Sequence, residues 1–364
     1  MRVVVEGYAT ERPNDVEGLK RALDALPIEQ VQRLALVAKT EGTATINDFS
    51  RELALTAAEG AIRAAGGDDL FNRSTLIFST GCEGVLSPCV YVLAALDDGS
   101  PSADGPLRLA IGGARTRAMA TEELITPMHV RLIAGAVETA MAEAGLNTTQ
   151  VSLVFVKSPI LTHRAAAVTG DAGIVARAGS SGQSRGAAAL GVALALGEIG
   201  ENNIDHVLIG ADFHLHANRA MTFSGTEVEF GEVLVLGNRP GMGGNAMVYS
   251  GRIADILDAR ALKALFRDAG CGLDEAGELT GQENLQAVFL KVGIAPDGRV
   301  RGERTTVFQS EVDPDKHMRA AASGLIGGLL GTGRVFVSGG TEHQAPPGGG
   351  LCACIADVTS GSER

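Results

Sequence analysis

The chain has 364 residues, a formal net charge of -12, five cysteines, no tryptophan and 48 glycines. An acidic balance excludes the broad basic face that nucleic acid or an anionic membrane surface requires. The odd set of cysteines (Cys82, Cys89, Cys271, Cys352, Cys354) holds no C-x-x-C pair, so it gives neither a disulfide framework nor a zinc site.

The N-terminal MRVVVEGYA reads as a short strand interrupted by an acidic residue, which is not a signal peptide. No uninterrupted apolar run of about 18 residues follows anywhere, and a cytoplasmic location is expected. LALVAKTEG then ends an apolar run at Lys39, and INDFSRELALTAAEGAI predicts a helix capped by Asn47 or Asp48 with Arg51 near its first turn. STLIFSTGCEG is a second apolar run leading into a small-residue loop with Ser79, Thr80 and Glu83.

After the turn-rich LDDGSPSADGP the same order returns. LRLAIGGAR is a strand, LVFVKSPIL ends at Lys157, and SSGQSRGAAALGVALALGEIG predicts a helix capped by Ser184 beside Arg185. The run through AMTFSGTEVEF carries Ser224, Gly225 and Glu227. Past GNRPGMGGN comes a third copy: AMVYSGRIA, AVFLKVGIA with Lys291, DPDKHMRAAASGLIGGLLG as a helix capped by Asp315 ahead of Arg319, and RVFVSGGTEHQAPPGGG with Ser338, Gly339 and Glu342. Repetition of this kind sets the architecture: an α/β protein of three similar units, spanning 1–105, 106–242 and 243–364, about a pseudo-threefold axis with the active site at the centre. Lysine to arginine is 12, 28 and 28 residues in the three copies, and loop insertions absorb such variation at modest entropic cost.

A lysine at the end of a run buried on both faces is unusual, and three are more so. Desolvation and neighbouring cations disfavour an ammonium there. Bringing its pKa from about 10.4 toward 7 takes roughly 4 to 5 kcal/mol. A neutral lysine could then take the proton of a nearby serine, the Ser-Lys form of nucleophilic catalysis. Three arginines near helix N-termini would bind carbonyl oxygens. The ligand should therefore be small and roughly threefold symmetric.

The segments VAKTEGTATINDFSR, VFVKSPIL, SSGQSRGAAALGVALALGEI and above all VSGGTEHQAPPGGG resemble the ring-opening amidohydrolases, the cyanuric acid hydrolase and barbiturase family, through nearly the whole chain. The resemblance implies that Ser224 and Lys157 of the middle unit are nucleophile and base. It implies that Arg51, Arg185, Arg319, Ser79 and Ser338, with Thr80, Gly225, Gly339, Lys39 and Lys291, bind a small cyclic imide, commonly in a homotetramer. Cyanuric acid would open to carboxybiuret, which loses CO2 to give biuret; barbituric acid would give ureidomalonate. Two positions depart from the family pattern. Phe223 precedes Ser224 where adjacent serines are the pattern, leaving Thr222 as the nearest other hydroxyl. Gly293 stands where a Glu would join carbonyls of the Glu342 to Gly350 loop around a structural Mg or Ca, so no cofactor is expected.

Other readings are weaker. His214 and His216 would face one side of a strand as a metal pair, yet no third ligand is apparent. Cys82 in the first serine loop could be a nucleophile, but a small loop residue accounts for it. A thiolase-like acyltransferase would leave the lysine, arginine and serine triples idle. A noncatalytic relative that binds a ring compound is the alternative outside the enzymes.

Overall fold

The computed structural model describes residues 1–43, 48–97, 99 and 105–358, and Asn47 lies outside them. The first unit runs β1 (Arg2–Ala9), α1 (Glu17–Asp24), β2 (Val31–Thr40), α2 (Ser50–Asn72), β3 (Ser74–Thr80) and β4 (Cys89–Leu96). The second runs β5 (Arg108–Ala118), α3 (Pro127–Ala144), β6 (Val151–Pro159), α4 (His163–Thr169), α5 (Ala172–Ala178), α6 (Ser181–Ala195), β7 (Ala220–Gly225) and β8 (Phe230–Arg239). The third comprises β9 (Ala246–Ile253), α7 (Ala259–Asp268), a hairpin of β10 (Gly272–Leu273) and β11 (Leu279–Thr280), and β12 (Leu285–Val292). It continues with a hairpin of β13 (Arg299–Val300) and β14 (Glu303–Arg304), then α8 (Pro314–Leu330), β15 (Phe336–Gly339) and β16 (Gly350–Asp357).

The three main sheets share one strand order: β1-β4-β2-β3, β5-β8-β6-β7 and β9-β16-β12-β15. In each, the lysine strand pairs in parallel with the serine-loop strand and antiparallel with a closing strand. That closing strand (β4, β8 or β16) is an element the sequence pattern does not single out, and it inserts between the opening strand and the lysine strand. The lysine strand is thus central in its sheet, which is why it reads as a nearly continuous apolar run. The extra residues between Lys157 and Arg185 form α4 and α5, and those between Lys291 and Arg319 include the β13–β14 hairpin.

Two helix caps differ from the sequence expectation. Ser180, not Ser184, caps α6 by accepting from the Gln183 N–H, and Asp313, not Asp315, caps α8 by accepting from Lys316. Both helices start earlier because Ser181 and Pro314 fit a first helical turn. Arg185 and Arg319 therefore sit in the second turn, while Arg51 lies in the first turn of α2. Asp48 accepts from the Ser50 N–H, while no side chain caps α2. Among the described residues no helix is long and apolar enough to cross a membrane.

Few aromatics are available, and four phenylalanines meet where the three sheets face one another. Phe155, Phe223, Phe289 and Phe336 contact with ring centroids 5.0 to 6.4 Å apart. Residues two apart on a strand share a face. Lys157 therefore lies one layer beyond Phe155, Lys291 beyond Phe289, and Ser338 beyond Phe336. Phe155, Phe289 and Phe336 form an apolar floor under the polar centre, while Phe223, in register with Lys157, stands level with the lysines.

One buried polar group links this core to pH. His129 of α3 is fully buried; its Nδ1 accepts from the Ile125 N–H and its Nε2–H donates to Ser158 Oγ at 2.9 Å. Burial pushes its pKa from 6.5 down to about 4. Between those values the unfolded chain binds the proton and the folded chain does not, so stability falls as the pH drops from 6.5 towards 4. The full loss is about 3 kcal/mol. Urea midpoints at pH 7.5 and 4.5 should show this slope, and His129→Gln should flatten it.

Candidate active site

Each lysine comes from the end of a central strand and is 1 % exposed. Lys39 Nζ donates to Ser79 Oγ at 3.1 Å and to the Thr80 carbonyl at 2.7 Å. Lys291 Nζ repeats this with Ser338 Oγ at 3.1 Å and the Gly339 carbonyl at 2.8 Å. Lys157 does not repeat it: its Nζ donates to the carbonyls of Phe78 and Ser224 and lies 2.5 Å from Glu227 Oε1. Ser224 Oγ is turned to Ser181, 2.6 Å from its Oγ and 3.0 Å from its carbonyl.

Burial pushes the Lys39 ammonium down to about 7, helped by Arg319. It pushes Lys157 down to about 8, with Glu227 opposing the shift. Lys291 is driven well below its ordinary value by burial and by Arg185. Lys39 and Lys157, brought to about 7 and about 8, can exchange protons near neutrality.

The arginines cross between units. Arg319 of the third unit makes two hydrogen bonds to Glu83 of the first, at 2.6 and 2.7 Å. Arg185 of the second makes two to Glu342 of the third, at 2.9 and 2.7 Å. Arg51 of the first reaches the second unit, with Nε 3.4 Å from Glu227 and Nη1 donating to the Ser224 carbonyl. Each arginine helix thus completes the serine loop of the next unit around a closed cycle. The three glutamates are partners of the candidate site that the sequence reading leaves without a role, because a pair spanning two units has no signature in local spacing.

Glycine makes the close approach possible at Gly340, whose φ is +77° and where any Cβ would meet the Arg185 guanidinium. Gly340→Ala is expected to lower kcat/KM about 100-fold by displacing that guanidinium, with an unchanged far-UV circular dichroism spectrum as the control.

Several expectations take other places. Thr222 Oγ1 donates to the Arg185 carbonyl, away from the lysines. The Cys82 thiol donates to the Thr40 carbonyl and is pushed up to about 11 by burial, so it stays protonated and is a poor nucleophile. His214 and His216 lie in a turn region instead of a strand, and His216 contacts the Phe213 carbonyl and Arg252. Among the described residues no group of three or more His, Cys, Asp or Glu is placed to hold a metal. The loop proposed for Mg or Ca does not fit one: a side chain at Gly293 would collide with Thr341 Oγ1, which itself donates to the Gly349 carbonyl, and Glu342 is committed to Arg185. Hard cations take oxygen ligands, and here neither position 293 nor Glu342 offers a carboxylate to join the loop carbonyls. A cavity of about 360 Å³ beside Gly293 lies away from the lysines. A second, of about 270 Å³, is lined by Gly340, Thr341 and Glu342 and opens beside the third serine loop.

Comparison with known proteins shows the family. The profile for amidohydrolase ring-opening proteins matches residues 4–357. The chain belongs to the ring-opening amidohydrolase family. A cyanuric acid amidohydrolase of Bradyrhizobium diazoefficiens is 38 % identical over 360 residues, 96 % of each chain. A cyclic amide hydrolase of Azorhizobium caulinodans is 36 % identical over 98 % of this chain and 99 % of its own. The crystal structure of a cyanuric acid hydrolase from A. caulinodans superimposes with a TM-score of 0.86 at 35 % identity, covering 98 % of this chain and 99 % of that one. A second cyanuric acid hydrolase structure gives 0.87 at 30 % identity over the same shares. Like this ring-opening amidohydrolase, those relatives are matched along essentially their entire length, so all three sheets are shared.

Proposed function

We propose that this chain hydrolyses a ring C–N bond of a small cyclic imide of the cyanuric acid or barbituric acid type, using a serine activated by a buried neutral lysine. The observation that carries the reading is the convergence of three nearly unexposed lysines with serine loops that are each closed by an arginine from the neighbouring unit. Arg51, Arg185 and Arg319 would face ring carbonyls, and Ser79 and Ser338 the ring N–H groups. Backbone N–H groups of the serine loops would hold the oxyanion.

The family pattern gives the attacking pair as Ser224 and Lys157. Contact geometry favours units in which lysine and serine already touch. The two assignments differ in pH dependence. The base must be neutral, so kcat/KM falls as pH drops through its pKa, about tenfold per unit. The break is expected near pH 8 for Lys157 and near 7 for Lys39, measured on the free enzyme over pH 5.5 to 9.5.

Turnover of cyanuric acid and barbituric acid side by side, following biuret and ureidomalonate, tests the reading. Phe223 favours one second reading, a ring-binding protein without catalysis; tight cyanurate binding with no biuret or ureidomalonate formed would support it. A homotetramer is expected on the family pattern, and light scattering on the eluted protein checks it.

A further inference from the structure

Phe223 stands where the other two units carry a serine. Strand register pairs Lys39 with Ser79 and Lys291 with Ser338, but Lys157 with Phe223. The carbonyl that accepts from each lysine belongs to the next residue along: Thr80, Gly339 and Ser224. The loops read STGCE, FSGTE and SGGTE, so a glycine two residues on and a glutamate four residues on align Ser79, Phe223 and Ser338. Ser224 is therefore the counterpart of Thr80 and Gly339. Its hydroxyl is held by Ser181, and Lys157 is turned to Glu227 as an ion pair. The Phe223 ring is buried against Phe155 and Phe336, with Lys291 Nζ 4.7 Å from its centroid.

We propose that the middle unit does not react in this chain and that nucleophile and base are an outer pair, Ser79 with Lys39 or Ser338 with Lys291. This rests on the ring-opening reading of function. In the step, the serine Oγ–H gives its proton to the neutral lysine while Oγ bonds to a ring carbonyl carbon, and that oxygen takes the electron pair. Collapse breaks the ring C–N bond, and the lysine returns the proton to the departing nitrogen. Water then adds to the acyl carbon, losing a proton to lysine, and the serine oxygen leaves and is reprotonated. The net change is ring plus water to an open-chain acid. Phe223 is left as an apolar wall at one corner of the ring.

The test is acid quenching of the full-length protein during turnover of cyanuric or barbituric acid, then peptide mass mapping. An acyl mass on the peptide holding Ser79 or Ser338 is the expected result, and the same mass on Ser224 overturns the inference. Alanine variants give a second readout where no acyl form accumulates. One of Ser79→Ala and Ser338→Ala should lower kcat about 10³-fold or more, with the other acting mainly on KM. Both keeping kcat within about tenfold while Ser224→Ala abolishes it would overturn the assignment and leave the ring-opening function intact. Failure to turn over either ring would overturn that function, and the assignment with it.

Discussion

Arg185→Met is expected to destabilise the fold by about 3 to 5 kcal/mol and to abolish turnover. The reason is the company Arg185 keeps. Its two hydrogen bonds to Glu342 are supplemented by Asp315 Oδ2 at 3.5 Å, and both partners of the main pair are mostly shielded from solvent. Removing the guanidinium leaves the carboxylate without its counter-charge between two units. The double variant Arg185→Met/Glu342→Gln removes both charges and should recover most of the stability without recovering turnover. Urea unfolding midpoints of the four proteins give the coupling. A double variant as unstable as the sum of the singles would show that the pair matters through packing, not charge.

Phe223→Ser should change both stability and substrate choice. The ring is buried among Phe155 and Phe336, and its loss opens a cavity at one wall of the site, with an expected cost of about 3 to 5 kcal/mol. The new hydroxyl would lie in register with Lys157, giving that ammonium a serine partner like those of Lys39 and Lys291. At this corner Phe223 replaces the hydroxyl that Ser79 and Ser338 supply at the other two, so a ring with CH2 facing it loses no serine hydrogen bond relative to one with N–H. The variant supplies a hydroxyl that only the N–H ring can use. The ratio of kcat/KM for cyanuric acid over barbituric acid is therefore expected to rise at least about tenfold. An unchanged ratio in a folded variant would place the Phe223 corner outside the bound ring.

Much of this was legible in the residues themselves. Lys39, Lys157 and Lys291 close apolar runs, and that pattern alone yields three central strands and their burial. The closing strands β4, β8 and β16 escape the pattern because each follows a loop and carries no marker residue of its own. The caps at Ser180 and Asp313 escape it because Ser184 and Asp315 are equally good capping types a few residues on, and only the position of the first helical turn separates them. The alignment of Ser224 with Ser79 and Ser338 is a one-residue slip that the fixed distances to glycine and glutamate in each loop could have exposed. The pairing of Arg319 with Glu83 and Arg185 with Glu342 could not have been read so, since it depends on how separate sheets meet.

The cyclic exchange of arginines has a consequence for what this scaffold is free to vary. Three identical subunits arranged the same way would have to repeat any substitution at every corner. Because one chain supplies all three corners here, Phe223 alters one while Ser79 and Ser338 keep the other two. Covalent linkage thus turns a symmetric receptor into one with independently adjustable sides. It also means that no single unit holds a finished corner, and the loop of Glu83 waits for Arg319, encoded near the opposite end of the message.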